Sequence, residues 1–193
     1  MAAMASAARW KPNVTVAAVI ERDGRYLLVE EASDRGPVLN NPAGHLDPGE
    51  SLIEAVVREV LEETACAFTP THLVGIYLAR AIGAEPITYL RFAFAGSVGE
   101  PEPGRALDEG ILRTLWLWPE QIETERSRHR SPLLARCIAD HQAGRRYPLD
   151  LLDDAALMEI DRDPQRRWNA VELSAASQGR PSSASLHGPG PTA

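Results

Sequence analysis

Residues 44–66 read GHLDPGESLIEAVVREVLEETAC, and inside them a turn-forming loop gives way to helical spacing. Ser51 stands three residues before Glu54. This is the pattern of a capping box, in which the Ser51 side chain accepts from the Glu54 amide and the Glu54 carboxylate returns to the Ser51 amide. A helix is therefore predicted from about Leu52 to Thr64. At roughly 100° per residue, Ile53, Val57, Val60 and Leu61 fall in one sector and Glu59, Glu62 and Glu63 in another. The helix is expected to pack on its apolar side and present acid on the other. Carboxylates spaced i, i+3 and i+4 repel by roughly a few tenths of a kcal/mol per pair. A solvated charged face is one account of such a cluster. The other is a hard divalent cation such as Mg²⁺, which prefers oxygen ligands, keeps several waters and is commonly shared with substrate phosphates.

Upstream of this helix, VTVAAVI (Val14 to Ile20) and RYLLVE (Arg25 to Glu30) are short β-branched or apolar runs, and Asp23-Gly24 between them marks a hairpin. Val38 to Pro42 is a brief extended piece leading to Gly44. Downstream, Leu73 to Ala79 and Ile87 to Ala95 read as strands joined through GAEP at Gly83 to Pro86. In the second, Tyr89 and Arg91 share one face and Leu90, Phe92 and Phe94 the other. Leu112 to Trp118 is a further strand whose tryptophans are expected to pack at the core or an edge. A last helix is marked by Ser131 as N-cap, Pro132 at its first position, apolar Leu133, Leu134, Cys137 and Ile138, and Gly144 past its end. Strands flanked by two or three helices imply an α+β chain or α/β/α sandwich.

The chain has 193 residues, enough for one domain with tails. The alanine-rich opening, residues 1–9, lacks the apolar core of a secretory signal and reads as a disordered extension. Residues 10–160 read as the domain. Residues 161–193, rich in Ser, Pro, Gly, Gln and Arg, read as a disordered tail. A net charge of −7 and a pI near 5.3 argue against a surface built for a nucleic acid polymer, yet leave room for a small phosphorylated substrate. No apolar run reaches the length of a membrane span. Cys66 and Cys137 lack metal-site spacing and read as small buried residues in a reducing, cytoplasmic setting.

Gly44, Glu50, Arg58, Glu59, Glu62 and Glu63 stand at fixed distances: glycine, five residues, glutamate, seven residues, then Arg-Glu-aliphatic-x-Glu-Glu. At average residue frequencies such a match arises roughly once in ten million placements. The spacing resembles the Nudix box of the Nudix hydrolases. One position departs from it, because Ala65 stands where the family has glycine. That glycine lets the helix end in a left-handed turn, where alanine costs about 1 kcal/mol. The chain is most similar to the NudJ-type phosphatase subgroup, through WKPNVTVAAVI (Trp10 to Ile20), NPAGHLDPGESLIEA (Asn41 to Ala55), YLRFAFA (Tyr89 to Ala95), RSPLL from Arg130 and GRRYPL from Gly144.

The resemblance implies a Nudix-type α/β/α sandwich, a mixed sheet with flanking helices. It implies Mg²⁺, or Mn²⁺, held by Glu59, Glu62 and Glu63, with the Gly44 carbonyl as a further ligand. Glu59 is the first choice of general base, and Asp108 or Glu109 the second. Glu50 and Arg58 are expected to pair and fix the loop against the helix. Arg91, Arg130 and Arg146 lie in the shared segments, where each reads first as a surface or structural ion pair and second as a substrate-phosphate contact. His45 is expected to stabilise the box loop by hydrogen bonding. The implied reaction is water attack on a diphosphate linkage of nucleoside tri- and diphosphates and of the thiamine pyrimidine precursor pyrophosphate (HMP-PP), releasing phosphate. ADP-ribose or dinucleoside polyphosphates are the alternative substrates, and a non-cleaving nucleotide sensor the alternative class. The chain is expected to act as a monomer or homodimer.

Overall fold

The computed structural model describes residues 10–82 and 86–153. The tails expected at 1–9 and 161–193, residues 154–160 of the expected domain and most of the Gly83–Pro86 turn lie outside the described residues.

β1 (Asn13–Arg22) and β2 (Arg25–Glu31) form the expected hairpin. Asp23 and Gly24 carry φ of 51° and 79°, the two positive values that a type I′ turn requires. The short strands β3 (Val38–Asn40) and β4 (Ala43–His45) lead into α1 (Leu52–Thr64), whose bounds and capping box match the sequence reading. Then come β5 (Cys66–Ala81), β6 (Ile87–Pro101), β7 (Ile111–Leu117), α2 (Pro119–Thr124) and α3 (Leu133–Gln142).

The strands run in the order β3-β2-β1-β6-β5, with β4 also on β1 and β7 on β2. The β1–β6 pair is parallel and its neighbours antiparallel, so the sheet is mixed. Alternate residues feed two cores. Val16, Ala18, Ile20, Leu27 and Phe94 pack under Val56 and Val60 of α1, while Val19, Leu28, Val74 and Ala93 pack under Ile122 of α2 and Leu134 and Cys137 of α3. This is the α/β/α sandwich expected. Cys66 and Cys137 are free and buried, as read. No helix among the described residues is long and apolar enough to cross a membrane.

One side of β1 is shared between two strands: β4 pairs at Thr15 to Ala17 and β2 at Glu21 and Arg22, while β6 follows the other side from Asn13 to Ile20. The sheet therefore splits between β4 and β2, and the box loop enters at that split.

Three readings are corrected. β5 and β6 are longer than 73–79 and 87–95, because their pairing continues through irregularities at Cys66/Phe68, Pro70/His72 and Leu73/Gly75. Each irregularity resets which face a residue takes, so alternation breaks in the sequence while the ladder continues. The regular part of α3 starts at Leu133, one residue late; Ser131 Oγ still accepts the Leu133 amide at 3.3 Å, as a cap does. The short α2 was not anticipated. Trp116 packs at the α1-side core with Arg22 over its ring, and Trp118 covers the Gly24 turn, both as expected.

Candidate active site

The face that α1 buries differs from the apolar sector drawn from the sequence. Its buried residues are Ala55, Val56, Glu59, Val60, Glu63 and Thr64, while Ile53, Val57 and Leu61 stay part-exposed on its flank. Two of the carboxylates thus lie on the inner side and only Glu62 keeps an open position, its side chain 40% exposed. Gly44 explains how Glu59 fits. A Cβ at Gly44 would stand 2.1–2.2 Å from the Glu59 carboxyl atoms, so the Glu59 carboxyl takes this place only with glycine at 44.

Arg58 ties the box together. Its Nε and Nη2 donate to the two oxygens of Glu50 at 3.0 and 2.7 Å, and Nη2 also reaches the His45 carbonyl at 3.0 Å. Nη1 donates to Glu59 Oε1 at 2.8 Å and Glu62 Oε2 at 3.2 Å. The guanidinium beside it holds the Glu50 carboxyl below its usual range, and Glu50 caps the loop by accepting the Asp47 amide at 2.6 Å. The expected Glu50–Arg58 pair is present. His45 steadies the loop through its backbone; its ring instead lies 6.3 Å from that of Tyr89.

Glu63 accepts the Ala43 amide at 2.8 Å on the outer edge of β4. Burial, with Glu31, Glu59 and Asp108 nearby, pushes its pKa up to about 8. Burial also raises Glu59, outweighing its bond to Arg58. Among the described residues no three His, Cys, Asp or Glu side chains already form a cation cage. The residues nevertheless fit a hard divalent cation: every donor is a carboxylate oxygen, two of the three carboxyls carry a desolvation cost that positive charge would relieve, and Glu59 and Glu62 already converge on one cationic nitrogen. The Ala18–Pro42 and Leu46–Val14 hydrogen bonds set the ladder parity that makes Val16 and Gly44 a bonded pair. One lone pair of the Gly44 carbonyl is thereby committed to the sheet, and one remains.

The loop before β7 is docked on α1, with the Asp108 amide donating to the Glu62 carbonyl at 2.9 Å. That brings Asp108 beside the box, and its neighbour Glu109 is exposed. The three arginines do not act together. Arg130 pairs with Glu31 at 2.8 Å, and Arg146 lies against His72 at 3.1 Å. His72 is five residues along β5 from Tyr77, the register partner of Arg91, which is roughly 16 Å of strand. Among the described residues Arg91 has no ion pair, and its Nε and Nη1 are buried without a hydrogen-bond partner. Sequence reasoning missed the equally unpartnered Thr15 Oγ1 and Asn41 amide, and the role of Glu31. The doublet Glu30-Glu31 at the end of an apolar strand was the available signal, since alternation turns one of the two inward.

Comparison with known proteins bears on the family and the fold. The family model of the NUDIX domain matches residues 10–137. Phosphatase NudJ of Escherichia coli K12 is 38% identical over 145 residues, covering 75% of this chain and 93% of that protein. A NUDIX hydrolase structure from Nitrosomonas europaea is 53% identical with a TM-score of 0.71, covering 74% of this chain and 97% of its own. The NUDIX domain of Shewanella oneidensis NrtR, solved in complex with ADP ribose, shares the fold alone: 16% identity and a TM-score of 0.57, over 71% of this chain and 90% of that one.

Proposed function

The chain belongs to the Nudix hydrolase family, which acts on phosphorus-containing anhydrides, and we propose on that premise that it is a Mg²⁺-dependent phosphatase of nucleoside tri- and diphosphates and of HMP-PP. The observation that carries this reading is the Arg58 clamp, in which one guanidinium holds Glu50, Glu59 and Glu62 together beneath the His45 carbonyl. Similarity to Phosphatase NudJ supports phosphate as the product.

Glu59, Glu62 and Glu63 would hold the cation, with Mn²⁺ able to replace Mg²⁺ and the remaining lone pair of the Gly44 carbonyl as a further ligand. A bound cation supplies neutralisation of charge on the leaving phosphate and a lowered pKa for water. Glu59 takes the proton from the water that attacks phosphorus. Asp108 is the second base, brought near by the Glu62 carbonyl, and Glu109 follows it. Arg58 is a positioning residue, and Arg130 and Arg146 serve structure before substrate.

The test is phosphate release by the purified full chain with Mg²⁺ or Mn²⁺, comparing kcat/KM for nucleotides, ADP-ribose and HMP-PP. The expected order places nucleotides and HMP-PP above ADP-ribose. Glu59→Gln and Glu62→Gln are each expected to lower kcat by on the order of 10²-fold or more while unfolding stays cooperative. No phosphate from any diphosphate in the panel would overturn the reading.

A further inference from the structure

At the edge of the sheet formed by β5, the two halves of the strand differ. From Cys66 to Gly75 it carries Pro70 and three irregularities, and at Leu73 its outer side is covered by Tyr147, with both backbone bonds between them at 2.9 Å. Bulges, proline and a covering loop are the devices that keep an edge from pairing with another chain. From Gly75 to Ala81 they stop. Register with β6 runs unbroken from Gly75↔Ala93 to Ala81↔Ile87, and among the described residues no strand lies on the other side of this run. Its one charged residue is Arg80.

The backbone of this run is free at alternate residues. The Val14 carbonyl accepts from the Leu46 amide and the Ala18 amide donates to the Pro42 carbonyl, so even-numbered residues of β1 turn to β4 and odd-numbered ones to β6. In the parallel register Thr15 then bonds the residues on either side of Arg91, and Arg91 bonds across to Tyr77. Ile76, Leu78 and Arg80 are therefore the residues whose amides and carbonyls point away from β6, as those of Leu73 do before the last irregularity. Their side chains lie on the α1 face, because Ile76 stands opposite Phe92, which packs on that core, and Leu78 opposite Leu90. Yet Ile76 is 51% and Leu78 71% exposed, and Ile82, just past the strand, 94%. A free hydrogen-bonding edge and an exposed apolar row coincide on the same residues, which suits extension by another strand.

We propose that a second copy of this chain pairs antiparallel along this edge, β5 against β5, about a two-fold axis at Leu78. A copy of the same run matches it in length, in outward-facing residues and in apolar row, as a contact of one patch with itself requires. The register follows from the free length. Only an axis at Leu78, the middle of Gly75–Ala81, pairs the whole run. A shift toward Gly75 meets Tyr147, and a shift to Arg80 sets two guanidinium groups opposite one another. At Leu78 the two leucines meet, and Ile76 lies beside the aliphatic stem of the partner's Arg80. The surface is small beside the roughly 1,200–2,000 Å² of a standard stable complex, so the dimer is reversible, with Kd on the order of micromolar. The inference is independent of the reaction at the box.

Sedimentation of the full chain from roughly 1 μM to 1 mM is expected to show a reversible monomer–dimer equilibrium. Leu78→Lys changes an exposed side chain, so it is expected to weaken association by on the order of 10²-fold while the Tm of dilute protein stays unchanged. Leu78→Cys is expected to form an intermolecular disulfide under mild oxidation, since opposed residues of a bonded pair have Cα atoms about 5.5 Å apart, within disulfide reach. Ile76→Cys is expected not to, because its counterpart lies four residues along the partner strand, about 13 Å away. Wild type, whose Cys66 and Cys137 are buried, serves as the blank. A wild type that stays monomeric to about 1 mM overturns the proposal. So does a dimer that Leu78→Lys leaves intact, or equal cross-linking of the two cysteine variants.

Discussion

Single residues carry the two departures that geometry makes testable. Ala65 has φ 58° and ψ 15°, so the left-handed end of α1 is kept although the residue that favours it is missing; its amide closes the helix on the Leu61 carbonyl. Ala65→Gly is expected to stabilise the protein by about 1 kcal/mol, raising Tm by about 2–4 °C with unchanged kcat. A fall in Tm would show that the backbone strain is absorbed elsewhere. Gly44 is the converse case. The atoms its Cβ would strike belong to the far end of Glu59, a flexible side chain that can give way. Gly44→Ala is therefore expected to leave Tm nearly unchanged while displacing that carboxylate, with kcat lower by on the order of 10²-fold; a variant that loses stability but retains kcat would sink this account. Glycine at 44 and the departure at Ala65 were both legible in the sequence, because each is a property of one position in a fixed pattern. The isolation of Arg91 was not. Whether an arginine finds an acid is decided by strands far apart in sequence, and the acid available, Glu31, is taken by Arg130.

At the scale of elements, the ends and cap of α1 were legible because they are set within one turn, but its buried face was not. An apolar wheel ranks residues by side-chain chemistry, whereas β4 approaches α1 so closely at Gly44 that Glu59 and Glu63 go inside and Ile53 and Val57 are left on the flank. That arrangement needs a counter-charge, and Arg58 provides it from the helix itself while reaching the loop at Glu50 and the strand at His45. Its side chain is 28% exposed. Arg58→Leu is expected to destabilise the protein by about 2–3 kcal/mol, the cost of breaking a buried pair reduced for that exposure. Arg58→Lys restores the charge but not the planar fork, so it is expected to recover only part of the loss. Urea unfolding of the two variants checks both; a lysine as stable as arginine would mean that charge alone holds the box. The lengths of β5 and β6 escaped the sequence for a related reason. Pairing survives each irregularity, while the period-two signal does not, and Pro70 is tolerated because β5 is an edge strand.

Across the whole molecule, the layer opposite α1 is closed by a cluster with no part in the box chemistry. His72 of β5 and His141 of α3 stack with ring centres 6.0 Å apart, and Tyr26 of β2 bonds His141 Nδ1 at 3.0 Å. Arg146, from the segment after α3, donates to His72 Nε2 at 3.1 Å. A guanidinium has no acceptor, so Nε2 must be unprotonated; the other nitrogen, Nδ1, then donates to Thr71 Oγ1 at 2.9 Å, and Thr71 passes its proton to the Ala95 carbonyl at 3.2 Å. The native state thus holds His72 neutral. Burial first, and then Arg146, lowers the pKa of both histidines from the ordinary 6.5; His141 lowers His72 further, and Glu21 partly opposes the shift at His141. A depressed histidine pKa means that the unfolded chain takes up its proton first. The stability contributed by the pair is therefore complete above about pH 6.5 and is lost as pH falls from there through the lower native values. The depressed carboxyls of Glu30, Glu50 and Asp140 act only below their own ordinary values of 4.5 and 3.8, whereas the stability contributed by Glu59 and Glu63, raised by burial, is lost as pH rises between 5 and 7.5, so the histidine contribution is read as the difference between wild type and a variant without His72. Urea unfolding between pH 5 and 7.5 is expected to show the wild type losing stability relative to His72→Gln as pH falls, since an amide oxygen can still accept from Arg146 without titrating while the carboxyls contribute equally to both proteins. If the slope is the same in both proteins, His72 takes up its proton alike in the folded and the unfolded chain, and the neutral state assigned through Arg146 has to be abandoned.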